Sequence, residues 1–260
     1  MNELVSTLNG LVWSPALIYL CLGVGLYFSL RGRFLQVRHF KEMIRLMFTG
    51  KTDEHGITSF QALTMTLAGR VGTGNIAGVA TAITFGGPGA VFWMWMVAFL
   101  GASSAFVEST LGQVYKEKLN GEYRGGPAFY IERGLGLKWY AWLFAIVTVF
   151  ACGLLLPGVQ ANSIASSAQT AFGIDPNVTA AALAVLIGLI IFGGVKRIAH
   201  FTQVVVPFMA LGYILVALVI ILLNISQLPD VIALIFKSAF GLEAGFGAIV
   251  GMAIQWGVKR

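Results

Sequence analysis

The sequence predicts an all-α integral membrane protein, and three observations carry that prediction. Hydrophobic residues make up 57% of the chain and charged residues only 11%, with a mean hydropathy of +0.82. A soluble domain is about a quarter charged, so this chain cannot cover itself for water. Apolar runs recur along the whole length, several exceeding the ~20 residues that a membrane helix needs. The basic residues are distributed by side: fifteen of the seventeen Lys and Arg fall on one face of the membrane if the runs simply alternate.

The runs are read as spans over 12–30, 58–85, 90–113, 139–170, 178–194, 201–224 and a last one starting near 244. Turn chemistry separates them, in Gly86-Gly-Pro-Gly89, Gly173-Ile-Asp-Pro-Asn177 and the outer loop from Asn224 to Asp230. Arg31, Arg33, Arg38, Lys41, Arg45 and Lys51 follow the first span. Lys116, Lys118, Arg124, Arg133 and Lys138 follow the third, Lys196 and Arg197 the fifth, and Lys259 and Arg260 the last. The opposite side receives Lys237, and Arg70 lies inside a span. By the positive-inside rule the basic loops are cytoplasmic and the N-terminus is outside, in a multi-pass protein of the cell membrane. Residues 34–48 mix apolar and basic side chains as a surface-lying helix does. Residues 122–136 fit a short cytoplasmic helix or a hairpin. Residues 1–13 carry one acid and no base, so no cleavable leader is expected.

The net charge of +6 is therefore a statement about topology rather than a nucleic-acid signal. Cys21 and Cys152 make no metal or disulfide spacing and read as small buried residues. His39, His55 and His200 are scattered near segment ends. No HExxH, CxxC or GxSxG pattern occurs, so an enzyme is not expected, nor a cofactor.

The run from 58 to 85 is the informative one. As a continuous helix, its twenty-eight residues would measure about 42 Å at 1.5 Å per residue, against a hydrocarbon core of roughly 30 Å. In its middle stands "AGRVGTGNIAGV", residues 68–79. Gly69, Gly72, Gly74 and Gly78 each cost about 1 kcal/mol relative to Ala inside a helix. Arg70 adds about 2.5–3.5 kcal/mol at mid-bilayer on the insertion scale. Close helix packing explains glycines spaced by four. Here the spacings are 3, 2 and 4, with polar residues between, which favours unwinding over 69–75. Non-helical backbone survives at that depth only where protein or water covers it. Its freed carbonyls can ligate a cation, and the N–H groups where the helix restarts, near Asn75 and Ile76, face an anion with positive partial charge. Asn75 adds a neutral side-chain oxygen and Thr73 a hydroxyl. A carboxylate at a half-helix end beside sodium-binding carbonyls is the logic of broken-helix transporters.

"GRVGTGNIAGVATAITFGGPGAVFWMW", followed by "ESTLGQVYKEK", "GGPAFYIERGLG" and "QANSIA", resembles the sodium:alanine (alanine/glycine:cation) symporter family, from about Ser59 to Arg260. That family belongs to the amino acid–polyamine–organocation group, built from two inverted five-helix repeats whose first helices are broken. The resemblance implies that 1–33 is an extra N-terminal span, 34–57 an interfacial segment, and 58–224 the first repeat with its broken helix at 58–85. Residues 225–260 would be an outer loop and the start of a second repeat that is largely missing. It implies Thr73, Gly74, Asn75 and Gln160 as substrate contacts, and Ala68, Val71 and Asn75 as sodium ligands. Gln160 also stands at i, i+3, i+7 with Ser163 and Ser167, as interhelical polar contacts often do. The chain ends at "AIQWGVKR", where the family enters its second broken helix, so a fragment, or a chain working with a second polypeptide, is expected.

Glu108 lies ~27 Å along its span, where pairing with a base is expected. Trp93 and Trp95 fit an aromatic belt, and Pro157-Gly158 a kink. The implied activity is sodium-coupled symport of a small neutral amino acid, alanine or glycine, by alternating access. Its partners are that substrate, Na⁺ and the lipid bilayer, with no nucleic acid. A proton-coupled transporter of the same fold needs a titratable group at the break, where only Arg70 stands, and arginine does not titrate usefully. A non-transporting membrane component need not carry the cost of the break.

Overall fold

Helix follows apolar run along almost the whole chain in the computed structural model, which describes residues 14–49, 56–119, 121–241 and 247–258. The elements in order are α1 (Pro15–Arg31), α2 (Leu35–Arg38), α3 (Phe40–Thr49), α4 (Ser59–Arg70), α5 (Thr73–Gly86) and α6 (Gly89–Val114). A hairpin of β1 (Glu117–Leu119) and β2 (Glu122–Arg124) follows, then α7 (Pro127–Leu135) and α8 (Lys138–Phe150). A π turn (Ala151–Leu155) joins α8 to α9 (Leu156–Phe172). The chain continues through α10 (Pro176–Ile191), α11 (Gly194–Leu223), a 3₁₀ turn (Ile225–Gln227), α12 (Leu228–Ala239) and α13 (Gly247–Val258).

Among the described residues, Gly89–Val114, Lys138–Phe172 and Gly194–Leu223 are long and apolar enough to cross a membrane, with Pro15–Arg31 and Pro176–Ile191 as shorter apolar helices. Residues 1–13, Lys51, His55, Lys259 and Arg260 of the charge pattern, and the stretch 242–246 where the last span was expected to start, lie outside the described residues.

The packing is that of a protein solvated by lipid. Among the described residues, seven of the eleven buried hydrophobic residues are alanines, including Ala82, Ala90, Ala199, Ala239 and Ala253. The large apolar side chains point outward, Phe208 at 75% exposure and Leu223 at 78%. With hydrocarbon outside, large side chains gain nothing by turning inward, and small ones let backbones approach. Cys21 and Cys152, expected to be buried, are exposed on outward helix faces for the same reason.

The chain divides into two units. One comprises Met1–Met43, Gly74–Val107 and Tyr213–Arg260. In it α1 lies against α6 through Gly25, where a Cβ would stand 3.0 Å from the Leu100 Cβ. Beside that contact, the hydroxyls of Ser29 and Ser103 are 3.0 Å apart and buried. Ser103 also lies 3.0 Å from the Gly25 carbonyl, and the Gln36 amide donates to Ser29 at 3.1 Å. Glycines make further close contacts in this unit: Gly86 against Trp256, Gly89 against the Ala239 backbone and Gly257 against Trp93 and Ala90. The stretch from Asn224 to Asp230, read as outer loop, already enters the amphipathic helix α12 at Leu228. Its Pro229 stands at a helix-starting position, Asp230 lies in the first turn, and Ile235 and Ala239 are buried.

The other unit comprises Ile44–Thr73 and Glu108–Gly212. Residues 122–136 form both structures weighed for them: β2 of the hairpin, and α7. The hairpin pairs Glu117 with Arg124 and Leu119 with Glu122. An ion pair from Arg133 to Glu117 ties it to α7. The α7 helix packs along α8. The expected disturbance at Pro157 takes the form of the π turn just before it, because proline cannot donate the next helical hydrogen bond. α9 ends at Gly173, whose φ of 69° is the left-handed cap conformation that costs glycine least. Asp175 then caps α10 by accepting from the Asn177 N–H at 2.7 Å.

Candidate functional site

The break falls inside the stretch expected to unwind and is shorter than it. α4 ends at Arg70, Val71 is extended at φ −93° and ψ 102°, and α5 begins at Thr73. Two residues, Val71 and Gly72, therefore leave the helix rather than seven. A reversal of ψ at one residue is enough to interrupt the hydrogen-bond ladder, and each half keeps its own helical backbone pairing.

The two halves are built differently. α4 opens with a capping box: Thr58 Oγ1 accepts from Gln61 N at 3.1 Å, and Gln61 Oε1 accepts from Thr58 N at 3.0 Å. At its other end the Val71 N–H still donates to Leu67 O at 2.8 Å, leaving the carbonyls from Ala68 onward at the negative end of a short helix. Ala68 and Arg70 are exposed and Val71 half-buried. α5 opens on Thr73, Gly74 and Asn75, whose N–H groups belong to the first helical turn, the positive end of the helix.

Gln160 sits at the break. Its Oε1 accepts from the Thr73 hydroxyl at 2.9 Å and from the Thr73 N–H at 3.3 Å. The Gln160 amide also lies so close to Gly72 that a Cβ there would stand 3.0 Å from its nitrogen and 3.2 Å from its oxygen. Gly72 is thus needed for close approach. The interhelical bonding that was one reading of Gln160 is present in this form. Ser163, three residues on along the same face, bonds back to the Val159 carbonyl at 3.1 Å within its own helix.

Gly74 and Asn75 line a cavity of about 380 Å³ with Val79, Trp95, Ala98 and Gly257. Among the described residues that line it, the side chains are apolar apart from the Asn75 amide and the Trp95 indole. A Cβ on Gly74 would meet nothing within 4 Å, so that residue opens onto space. Neither Trp95 nor Gly257 was expected at the site. Trp95 read as part of an aromatic belt, and its signal was positional: Val91, Trp95 and Ala98 share one face of α6 at helical spacing. Trp93, its partner in that reading, donates its indole N–H to the Ala239 carbonyl at 3.4 Å.

Glu108 makes no ion pair among the described residues. Its charge acts on Tyr130 of α7, whose pKa is raised from 10.0 by burial first, then by Glu108 and by Tyr140. No group of His, Cys, Asp and Glu among the described residues could hold a metal ion.

A profile of the Sodium:alanine symporter family matches residues 1–260. YrbD of Bacillus subtilis (strain 168) is 64% identical over 260 residues, all of this chain and 54% of the relative. The sodium/alanine symporter AgcS of Methanococcus maripaludis is 44% identical over 266 residues, 99% of this chain and 59% of the relative. The sodium/proton-dependent alanine carrier protein of Bacillus sp. (strain PS3) is 50% identical over 218 residues, 84% of this chain and 49% of the relative. The chain spans about half the length of the curated relatives it matches. A multi-pass helical chain with a two-residue helix break, matched by that profile from end to end, belongs to the sodium:alanine symporter family.

Proposed function

We propose that this chain serves sodium-coupled symport of a small neutral amino acid, alanine or glycine, into the cell by alternating access around the break at Val71–Gly72. The observation that carries the proposal is the break itself, with helix ends of opposite polarity on either side of two residues. The N–H groups of Gly74 and Asn75 would hold the substrate carboxylate at the positive end of α5. The carbonyls of Ala68 and Val71, and the Asn75 side-chain oxygen, would serve sodium. Thr73 and Gln160 are the remaining substrate contacts of the proposal. The apolar wall at Val79 and Ala98 suits a methyl-sized side chain. Two relatives, a sodium/alanine symporter and a sodium/proton-dependent alanine carrier, support alanine as the substrate, and the first supports sodium as the ion.

Within this proposal 58–224 is the first of two inverted repeats, 1–33 is an additional span, and the basic loops face the cytoplasm with the N-terminus outside. The test is uptake of labelled alanine into vesicles under a sodium gradient, and separately under a proton gradient, beside the Asn75→Ala variant. Coupling is reciprocal, so Asn75→Ala should raise the sodium and the alanine requirement together. Uptake driven by protons with no need for sodium would overturn the choice of ion. An Asn75→Ala variant with unchanged sodium dependence would remove Asn75 from the site.

A further inference from the structure

We propose that the amide pair Gln61–Gln203 is a latch that holds α4, the first half of the broken helix, and that Gln203 is thereby a positioning residue for the carbonyls of Ala68 and Val71. The functional consequence rests on the reading of those carbonyls as sodium ligands. The latch itself rests on geometry alone.

α4 has one buried residue, Thr64, and one aromatic contact, Phe60 stacked on Phe48 at 6.3 Å. Polar ties supply the rest of its anchoring. Just past its far end, Thr73 is bonded to Gln160. In its first turn Gln61 uses both ends of its side chain. A capping box needs only the oxygen, which accepts from Thr58 N at 3.0 Å. The nitrogen is left over, and it donates to Gln203 Oε1 of α11 at 3.0 Å, across 142 residues of sequence. The Thr64 hydroxyl donates to the Gln61 carbonyl at 3.0 Å, so the buried residue and the latch residue belong to one network.

A single neutral amide–amide bond in a membrane protein is strong enough to bias an equilibrium roughly three- to thirtyfold and weak enough to open. The α11 side is prepared for movement as well. Pro207 stands inside α11, four residues after Gln203, and lacks the N–H that would bond the Gln203 carbonyl. The latch therefore closes onto the turn of α11 whose own ladder is interrupted. Ala68 is seven residues beyond Gln61, about 10 Å along a rigid helix. Fixing the first turn of α4 thus fixes where its last carbonyls point.

The test uses Thr64, 2% exposed, as a reporter. In a background carrying Cys21→Ser and Cys152→Ser, the Thr64→Cys protein is treated with a maleimide in vesicles and the labelling rate is followed. Gln203→Leu should speed labelling at least threefold. Gln203→Glu, which keeps an acceptor oxygen there, should restore the parent rate. The double variant Gln61→Ala/Gln203→Leu should label no faster than Gln61→Ala alone. Labelling unchanged by Gln203→Leu, or a Gln203→Leu effect that persists in full on top of Gln61→Ala, would overturn the latch. If Thr64→Cys folds poorly, hydrogen exchange of the α4 amides with Thr64 intact reads the same equilibrium. Exchange should then quicken in Gln203→Leu, and unchanged exchange would count against the latch. Labelling does not need transport, so the two readings fail separately. Coupled labelling without any sodium-driven uptake overturns the proposed function and leaves the latch. Sodium-driven uptake with uncoupled labelling does the reverse.

Discussion

Gln160 accepts two hydrogen bonds from one residue, Thr73, through its hydroxyl at 2.9 Å and its backbone N–H at 3.3 Å. The second of these satisfies the first N–H of α5 from outside the helix, as a cap would. Gln160→Leu removes the acceptor while keeping most of the volume, leaving two donors to find water or go unmade, at about 1–3 kcal/mol. Alanine uptake should fall about tenfold or more, with insertion into the membrane unchanged. Gly72→Ala should produce the same loss by another route, because its Cβ would meet the Gln160 amide at 3.0–3.4 Å. Combining Gly72→Ala with the shorter Gln160→Asn should recover part of the activity. No recovery at all would argue that Gly72 matters for a reason other than its distance from Gln160.

The first span is held to α6 by small polar groups rather than by large apolar ones. Ser29 and Ser103 are 0% and 3% exposed, and their hydroxyls are 3.0 Å apart. Ser103→Ala leaves the Ser29 hydroxyl to find another partner and should cost about 1–3 kcal/mol. Ser103→Leu should cost more, since a Cβ on Gly25 would already stand 3.0 Å from the Leu100 Cβ and the contact beside Ser103 leaves little room. Thermal unfolding in detergent checks the order: wild type, then Ser103→Ala, then Ser103→Leu. Equal melting temperatures for wild type and Ser103→Ala would show that the pair contributes nothing net.

Much of the architecture could be read from the sequence because membrane helices announce themselves by composition. The runs at 90–113 and 201–224 correspond to α6 and α11 with boundaries shifted by a few residues at one or both ends. The break was legible as a conflict, four glycines and an arginine where a helix needs neither. Its exact width was not legible, because Gly69 and Gly74 can be helical and are. α12 was missed because its apolar face is short and Asn224, Pro229 and Asp230 mimic a loop, although Pro and Asp are also what a helix start uses. The Thr73–Gln160 pairing lies 87 residues apart in sequence. No local periodicity encodes such a contact. Only the resemblance pointed to Gln160, and it gave no reason for Gly72.

Tyr130 gives a prediction in pH. Its pKa is raised above 10.0 by burial and by the nearby Glu108 carboxylate, so the folded protein favours the neutral phenol. A group raised on folding contributes stability that is present in full below its unfolded value, here about 10, and is lost as pH rises through the folded one. Stability should therefore decline above pH 10 more steeply in wild type than in Tyr130→Phe. Phenolate absorbance makes the direct check. The latest part of the wild-type titration should be absent from Tyr130→Phe and should move to lower pH in Glu108→Gln. A Glu108→Gln curve identical to wild type would remove the carboxylate as a cause.

Gly74 and Asn75 open onto a cavity of about 380 Å³ whose wall includes Val79 and Trp95. A Cβ on Gly74 meets no atom within 4 Å, so Gly74→Ala should insert and unfold as wild type does. Its methyl instead occupies the cavity beside the first N–H groups of α5. If that is where the carboxylate binds, the alanine requirement for half-maximal uptake should rise about tenfold or more and the glycine requirement little, since glycine brings no methyl of its own. A cavity methyl is worth about 1–3 kcal/mol of discrimination, which is tenfold to some two-hundredfold between the two substrates. Trp95→Phe, which retracts the far wall, should shift the preference back toward alanine. Competition between labelled glycine and unlabelled alanine measures the ratio directly. A ratio unchanged in Gly74→Ala, with total uptake intact, would place the substrate's side chain away from this cavity and leave Gly74 a role in the break alone.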